Sequence, residues 1–104
     1  MHISAQAYKQ WLDENKQHQL IDIREQYEIE HCTLNGHPIC MGSIMDQLDQ
    51  IEHGDVVIHC NSGKRSDAVV FALRKKLNRD NIYSLLGGIQ NFVELYLPEQ
   101  NCAS

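Results

Sequence analysis

Read for the spacing of its apolar positions, the chain alternates helix-like and strand-like segments from one end to the other. Ser4 stands where a helix N-cap belongs. Ala7, Tyr8, Trp11 and Leu12 then recur on one face, which predicts a helix over roughly residues 5–14 with Tyr8 and Trp11 in the core. "QLIDIR" reads as a short buried strand, and "EQYEIEH" as one or two helical turns with Tyr27 as an inward anchor. "NGHP" is a turn signal, followed by "PICM" as a short strand that carries Cys40 into the core. Ser43 is placed to cap a further helix, in which Ile44, Leu48 and Ile51 repeat at helical spacing.

His53, Gly54 and Asp55 interrupt the chain before "VVIHC". This segment is rich in β-branched residues and does not alternate cleanly, as expected of a strand covered on both faces of a parallel sheet. A helix over roughly residues 66–77 follows, with Val69, Val70, Leu73 and Leu77 on one side. Arg74, Lys75, Lys76 and Arg79 near its end complement the negative pole of the helix dipole. "NIYSLL" is another strand, "GG" a sharp turn and "IQNFVELYL" a closing helix. Alternation of this kind predicts an α/β fold: one domain over residues 1–104, with a mainly parallel sheet flanked by helices on both faces.

Composition narrows the function. The 104 residues carry a formal net charge of −5, and the basic residues form no single long run. Nucleic-acid binding needs a dense positive face, so it is not expected. No apolar run is long enough to span a bilayer, and the start of the chain lacks the pattern of a signal peptide, so the expectation is a cytoplasmic protein without a membrane partner. Of the four cysteines, Cys32, Cys40, Cys60 and Cys102, none forms a C-x-x-C pair and none has zinc-ligand spacing to a histidine. No metal and no cofactor is expected.

The chemistry concentrates where "VVIHC" meets "NSGKRS". Ligands of open parallel sheets bind at the carboxyl ends of strands, and Cys60 sits at such an end. Gly63 permits backbone conformations other residues resist, so the loop of Asn61, Ser62, Gly63, Lys64, Arg65 and Ser66 can turn successive N–H groups inward as an anion nest. The helix that starts near Ser66 adds its positive end, and Lys64 and Arg65 add two charges. Such surroundings favour a reactive thiolate. Free cysteines are also often simply buried. A polar, basic, glycine-containing loop is a poor wall for an inert core, so the reactive reading is preferred for Cys60.

These segments resemble the rhodanese family of sulfurtransferases. "HCNSGKRSDAVVFAL" is similar to its active-site loop and following helix, and "LIDIREQYEIEHC" to its early strand-and-turn motif. "IYSLLGGIQNF" is similar to its C-terminal signature. The wording around "CTLNGHPICMG" and "CNSGKRS" looks like the rhodanese domains appended to ThiF/MoeB-like adenylyltransferases. The resemblance implies a double displacement. Cys60 takes a sulfane sulfur from a small donor such as thiosulfate and becomes a persulfide. The outer sulfur then passes to cyanide, a thiol or a sulfur-carrier protein. The N–H groups of residues 61–66 hold that sulfur, and Lys64 and Arg65 receive the donor's negative charge. Asn61 stands where many relatives carry a basic residue, which removes one charge from the mouth.

Other residues read as supports. His59 precedes Cys60 in a strand, so the two side chains diverge, and a packed, hydrogen-bonded histidine is expected rather than a base. Asp22 and Arg24 are two apart at a strand end and face the same way, which suits a charged brace for the Cys60 loop. Glu25 suits a cap, and Glu28 a solvated or loop-bracing carboxylate. Cys32, in a loop, and Cys102, in the tail, are weak candidates for a redox role. Two rival functions remain. A cysteine phosphatase or arsenate reductase would use a related loop, but four residues separate Cys60 from Arg65 where the phosphatase signature has five. A non-catalytic regulatory module often lacks the cysteine.

Overall fold

The computed structural model describes residues 1–100. In chain order the elements are β1 (His2–Ile3), α1 (Ala5–Asp13), β2 (Gln19–Asp22), α2 (Gln26–His31), β3 (His37–Pro38), β4 (Val56–His59), α3 (Lys64–Leu77), β5 (Ile82–Leu85) and α4 (Gly88–Tyr96). The five strands make one sheet in the order β1-β5-β4-β2-β3, and every pairing is parallel. The α/β class and the parallel sheet follow the sequence pattern. β1, two residues long, is too short to leave a periodic signal.

Strand parity sorts the core. Val56, Ile58 and Cys60 point into a cluster with Ile21, Ile23, Val69, Val70 and Leu73, beneath α3. Val57 points the other way, into a cluster with Tyr8, Leu85 and Phe92, beneath α1 and α4. All four residues of β4 are buried because both faces are covered, which explains the lack of alternation in the sequence. β4 is flanked by β5 and β2, so its carboxyl end opens at the middle of the sheet edge.

Several local expectations are corrected. Tyr27 is 73% exposed, not an anchor. α2 spans six residues and turns its Ile29 side inward, with Cys32 buried just beyond it. The strand placed at "PICM" is β3 at His37–Pro38, and Cys40 is half-buried, outside the core. Ile39 points in, so Cys40 points out, 3.6 Å from Glu25 Oε1. The helix after Ser43 is instead two 3₁₀ turns, Ile44–Asp46 and Leu48–Gln50. The Ser43 hydroxyl donates to Cys40 O rather than capping. Leu12 is 42% exposed, whereas Ser4 caps α1 as expected through Ala7 N–H.

His59 pairs in register with Asp22 of β2 and is fully buried. It is packed but not well hydrogen-bonded. Its Nδ1 is 3.4 Å from Cys60 O, and its Nε2 has no hydrogen-bond partner and lies 3.5 Å from Asp22 Oδ2. Burial lowers the His59 pKa from its ordinary 6.5, outweighing the pull of Asp22. The folded protein therefore keeps His59 neutral where the unfolded chain protonates it. The stability this confers is complete above about pH 6.5 and is lost as the pH falls below that value. Urea unfolding midpoints are expected to drop from about pH 7 to about pH 5, and His59→Gln is expected to flatten that slope. A variant with the wild-type slope would assign the acid sensitivity elsewhere.

Candidate active site

The turn from β4 into α3 is made by Gly63, whose φ of +103° is left-handed and natural only to glycine. α3 therefore begins at Lys64, two residues earlier than expected, and Ser66 lies within its first turn. The first N–H groups of a helix lack intrahelical partners. Here the Cys60 sulfur accepts from Gly63 N–H at 3.1 Å and from Ser66 N–H at 3.4 Å. Cys60 is itself fully buried. Its sulfur thus takes the place of an N-cap oxygen, at the positive end of a 14-residue helix.

Inward N–H groups leave the carbonyls of the loop pointing outward, and α4 receives them. Ile89 N–H donates to Cys60 O at 2.9 Å, and Gln90 N–H to Asn61 O at 3.1 Å. The approach requires glycine at position 88. A Cβ there would stand 2.4 Å from Asn61 O and 2.7 Å from Cys60 O, and its φ is +65°. The sequence marked "GG" only as a turn. Its contact with the loop belongs to the tertiary fold.

The predicted loop residues divide by task. Gly63 and Ser66 donate to the sulfur, Asn61 gives its carbonyl to α4, and Ser62 and Lys64 are exposed. Arg65 is turned aside. Its Nη1 and Nη2 donate to the two carboxylate oxygens of Glu28, at 2.9 and 2.8 Å. This pairing, led by the hydrogen bonds, lowers the Glu28 pKa to about 2 and raises that of Arg65. The expectation of two free cations is corrected: Arg65 is neutralised, and among the described residues Lys64 forms no salt bridge.

Glu28 also accepts Glu25 N–H at 3.0 Å, completing a capping box with Glu25 as N-cap of α2. Asp22 and Arg24 form a buried bidentate pair, with Nε–Oδ1 at 3.0 Å and Nη2–Oδ2 at 2.8 Å. Arg24 Nη2 further donates to Cys32 O at 2.6 Å, so the pair holds the end of α2. Its link to the Cys60 loop runs through Glu28 and through the neighbouring His59. Cys102 lies outside the described residues.

Gly88→Ala is expected to lower stability by roughly 2–5 kcal/mol, combining left-handed strain with a clash against backbone. Denaturant unfolding measures it, and a loss below about 1 kcal/mol would show that α4 and the loop can separate freely.

The rhodanese-like domain model matches residues 4–95. No curated protein matches the chain. A rhodanese-related protein from Thermoplasma volcanium is 26% identical, with a TM-score of 0.76 over 91% of this chain and 92% of that one. A rhodanese-like domain protein from Staphylococcus aureus is 28% identical, with a TM-score of 0.76 over 88% and 91% of the two chains. A protein of unknown function from Rhodopseudomonas palustris, described as a possible tyrosine phosphatase, has a TM-score of 0.77 over 90% and 80% of the chains. At 15% identity it shares the fold alone. With a parallel α/β sheet, a cysteine at the turn into α3 and a family match across residues 4–95, the chain belongs to the rhodanese-like domain family.

Proposed function

We propose that this protein is a sulfurtransferase that carries sulfane sulfur on Cys60. The observation that carries the reading is the sulfur itself, held by two N–H groups at the start of α3. A cradle of that kind supports a negative sulfur at the moment of attack and the terminal sulfur of a persulfide afterwards. With thiosulfate as donor, the Cys60 thiolate attacks the outer sulfur. A new S–S bond forms, the old one breaks, and sulfite leaves with its electron pair. An acceptor nucleophile then removes the outer sulfur and returns the thiolate. Cyanide serves in the assay, and a thiol or sulfur-carrier protein in the cell.

The geometry supports the following roles. Gly63 and Ser66 steady the sulfur, and Lys64 meets the anionic donor. Asn61 and Ser62 line the mouth. Arg65, held by Glu28, shapes the loop more than it attracts charge. Asp22 and Arg24 brace the loop indirectly, by fixing the end of α2 and so placing Glu28. The reaction needs no cofactor. Among the described residues no helix is long and apolar enough to cross a membrane. A cytoplasmic setting, where thiols and sulfur carriers are available, suits this chemistry.

The four-residue spacing between Cys60 and Arg65 favours sulfur over phosphate, because a tetrahedral oxyanion needs a wider ring of donors. Incubation with thiosulfate is expected to add one sulfur atom to Cys60, seen by intact mass and removed by cyanide, with no turnover of aryl phosphates or arsenate. Cys60→Ser should abolish thiosulfate:cyanide transfer, while Cys40→Ser keeps most of it. Phosphatase turnover without a persulfide would overturn the reading. Lys64→Ala is expected to raise KM for thiosulfate by about twofold to fivefold, an amount typical of losing one exposed charge. Arg65→Ala should affect thermal stability more than KM, and the reverse ranking would return Arg65 to a charge-binding role.

A further inference from the structure

The Cys60 thiol must lose its proton before sulfur can be attacked, yet Cys60 is 0% exposed and has no direct route to water. A chain of side chains leads away from it. The thiol donates to Ser66 Oγ at 3.6 Å. Ser66 Oγ is 2.8 Å from Ser84 Oγ on β5, and Ser84 donates to Asp67 Oδ1 at 2.7 Å. His2 Nε2, on β1, lies 3.1 Å from the same oxygen. Ser66 and Ser84 are fully buried, whereas the side chains of His2 and Asp67 are 43% and 44% exposed. The chain begins in the core and ends in solvent.

Its direction is set at the far end. A hydroxyl has one proton to donate. Ser84 gives its proton to Asp67, so the Ser66–Ser84 bond requires Ser66 as donor, which leaves a Ser66 lone pair for the thiol. Ser66 Oγ also lies 3.1 Å from Gly63 O, a second resting place for its proton. With the Ser84 bond made, every link points from sulfur towards carboxylate.

We propose that Ser66, Ser84 and Asp67 form the proton exit of Cys60, with His2 steadying the same carboxylate oxygen that receives the proton. The proposal rests on Cys60 being the nucleophile and extends that site to β5 and β1. The S–H bond breaks as an O–H bond forms on Ser66, whose former proton passes to Ser84. The Ser84 proton passes to Asp67, and the carboxyl group releases a proton to water. One proton leaves the sulfur and one reaches solvent, with no change of oxidation state. Ser66 ends with its new proton directed at the thiolate. Near the sulfur the charged group is Arg65 of α3, paired to Glu28 of α2; at the far end His2 faces Asp67. None of these bridges sulfur and water. Ser84 and Asp67 are positioning residues, acting on the sulfur through Ser66.

The test is hydrogen–deuterium exchange of the Cys60 S–H group, followed by its infrared stretch in mildly acidic buffer after subtraction of the Cys60→Ser spectrum. Exchange in the wild type is expected to outpace that in Ser84→Ala and in Asp67→Asn by about tenfold or more. Asp67→Asn keeps a hydrogen-bonding group at a half-exposed site but cannot take up and release a proton. It decides the question even where Ser84→Ala perturbs folding. Equal or faster exchange in the folded variants would overturn the proposal, since the proton would then leave by opening of the loop. The measurement uses neither sulfur donor nor acceptor, so a protein without sulfurtransferase activity can still pass or fail it.

Discussion

The pair of hydrogen bonds from the first turn of α4 to the carbonyls of Cys60 and Asn61 is the constraint on which the site depends. A backbone that turns its N–H groups towards one sulfur must turn its carbonyls elsewhere. Buried carbonyls without donors are costly, by about 1–3 kcal/mol each. α4 supplies the donors from its own unsatisfied N–H groups, so two helix N-termini settle their needs through one short loop. α3 finds an acceptor in sulfur, and α4 finds acceptors in the carbonyls behind it. Gly88 allows the two backbones to meet, and Gly63 allows the chain to turn between them.

Charge around this loop is arranged by subtraction. The protein is acidic, with a net charge of −5, and the loop carries two adjacent cations. Glu28 removes one of them from the mouth while also capping α2, so a single carboxylate fixes a helix start and the Arg65 side chain together. The buried Asp22–Arg24 pair secures the other end of α2. The partners of both charges are bidentate and well placed, the condition under which a charge pair orders structure rather than merely decorating a surface. Lys64 is left exposed, and among the described residues it forms no salt bridge.

The order of elements, the parallel sheet and the position of Cys60 at a strand end were legible in the sequence because they are written in local periodicity and in turn residues. A β-branched run without alternation meant a strand covered on both faces, and β4 is one. The same local reasoning failed where few residues carry the signal. α2 has six residues, too few for a periodic face, and Tyr27 consequently went to the wrong side. The segment from Ile44 to Gln50 has helical spacing of its apolar residues but closes as two 3₁₀ turns, which still bury Ile44 and Ile51. Hydrophobic spacing specifies which side chains go inward more firmly than it specifies the hydrogen-bonding pattern that takes them there.

By itself the sequence determined the fold class, the strand that presents Cys60 and the glycine that turns the chain after it, since each depends on residues adjacent in the chain. The tertiary structure alone decided the pairing of Arg65 with Glu28, 37 positions away, and the donation from α4 to the loop. It also decided the line of hydroxyls from Ser66 through Ser84 to Asp67. These contacts join elements that the sheet order makes neighbours, and no periodicity within a single element records who its neighbours will be.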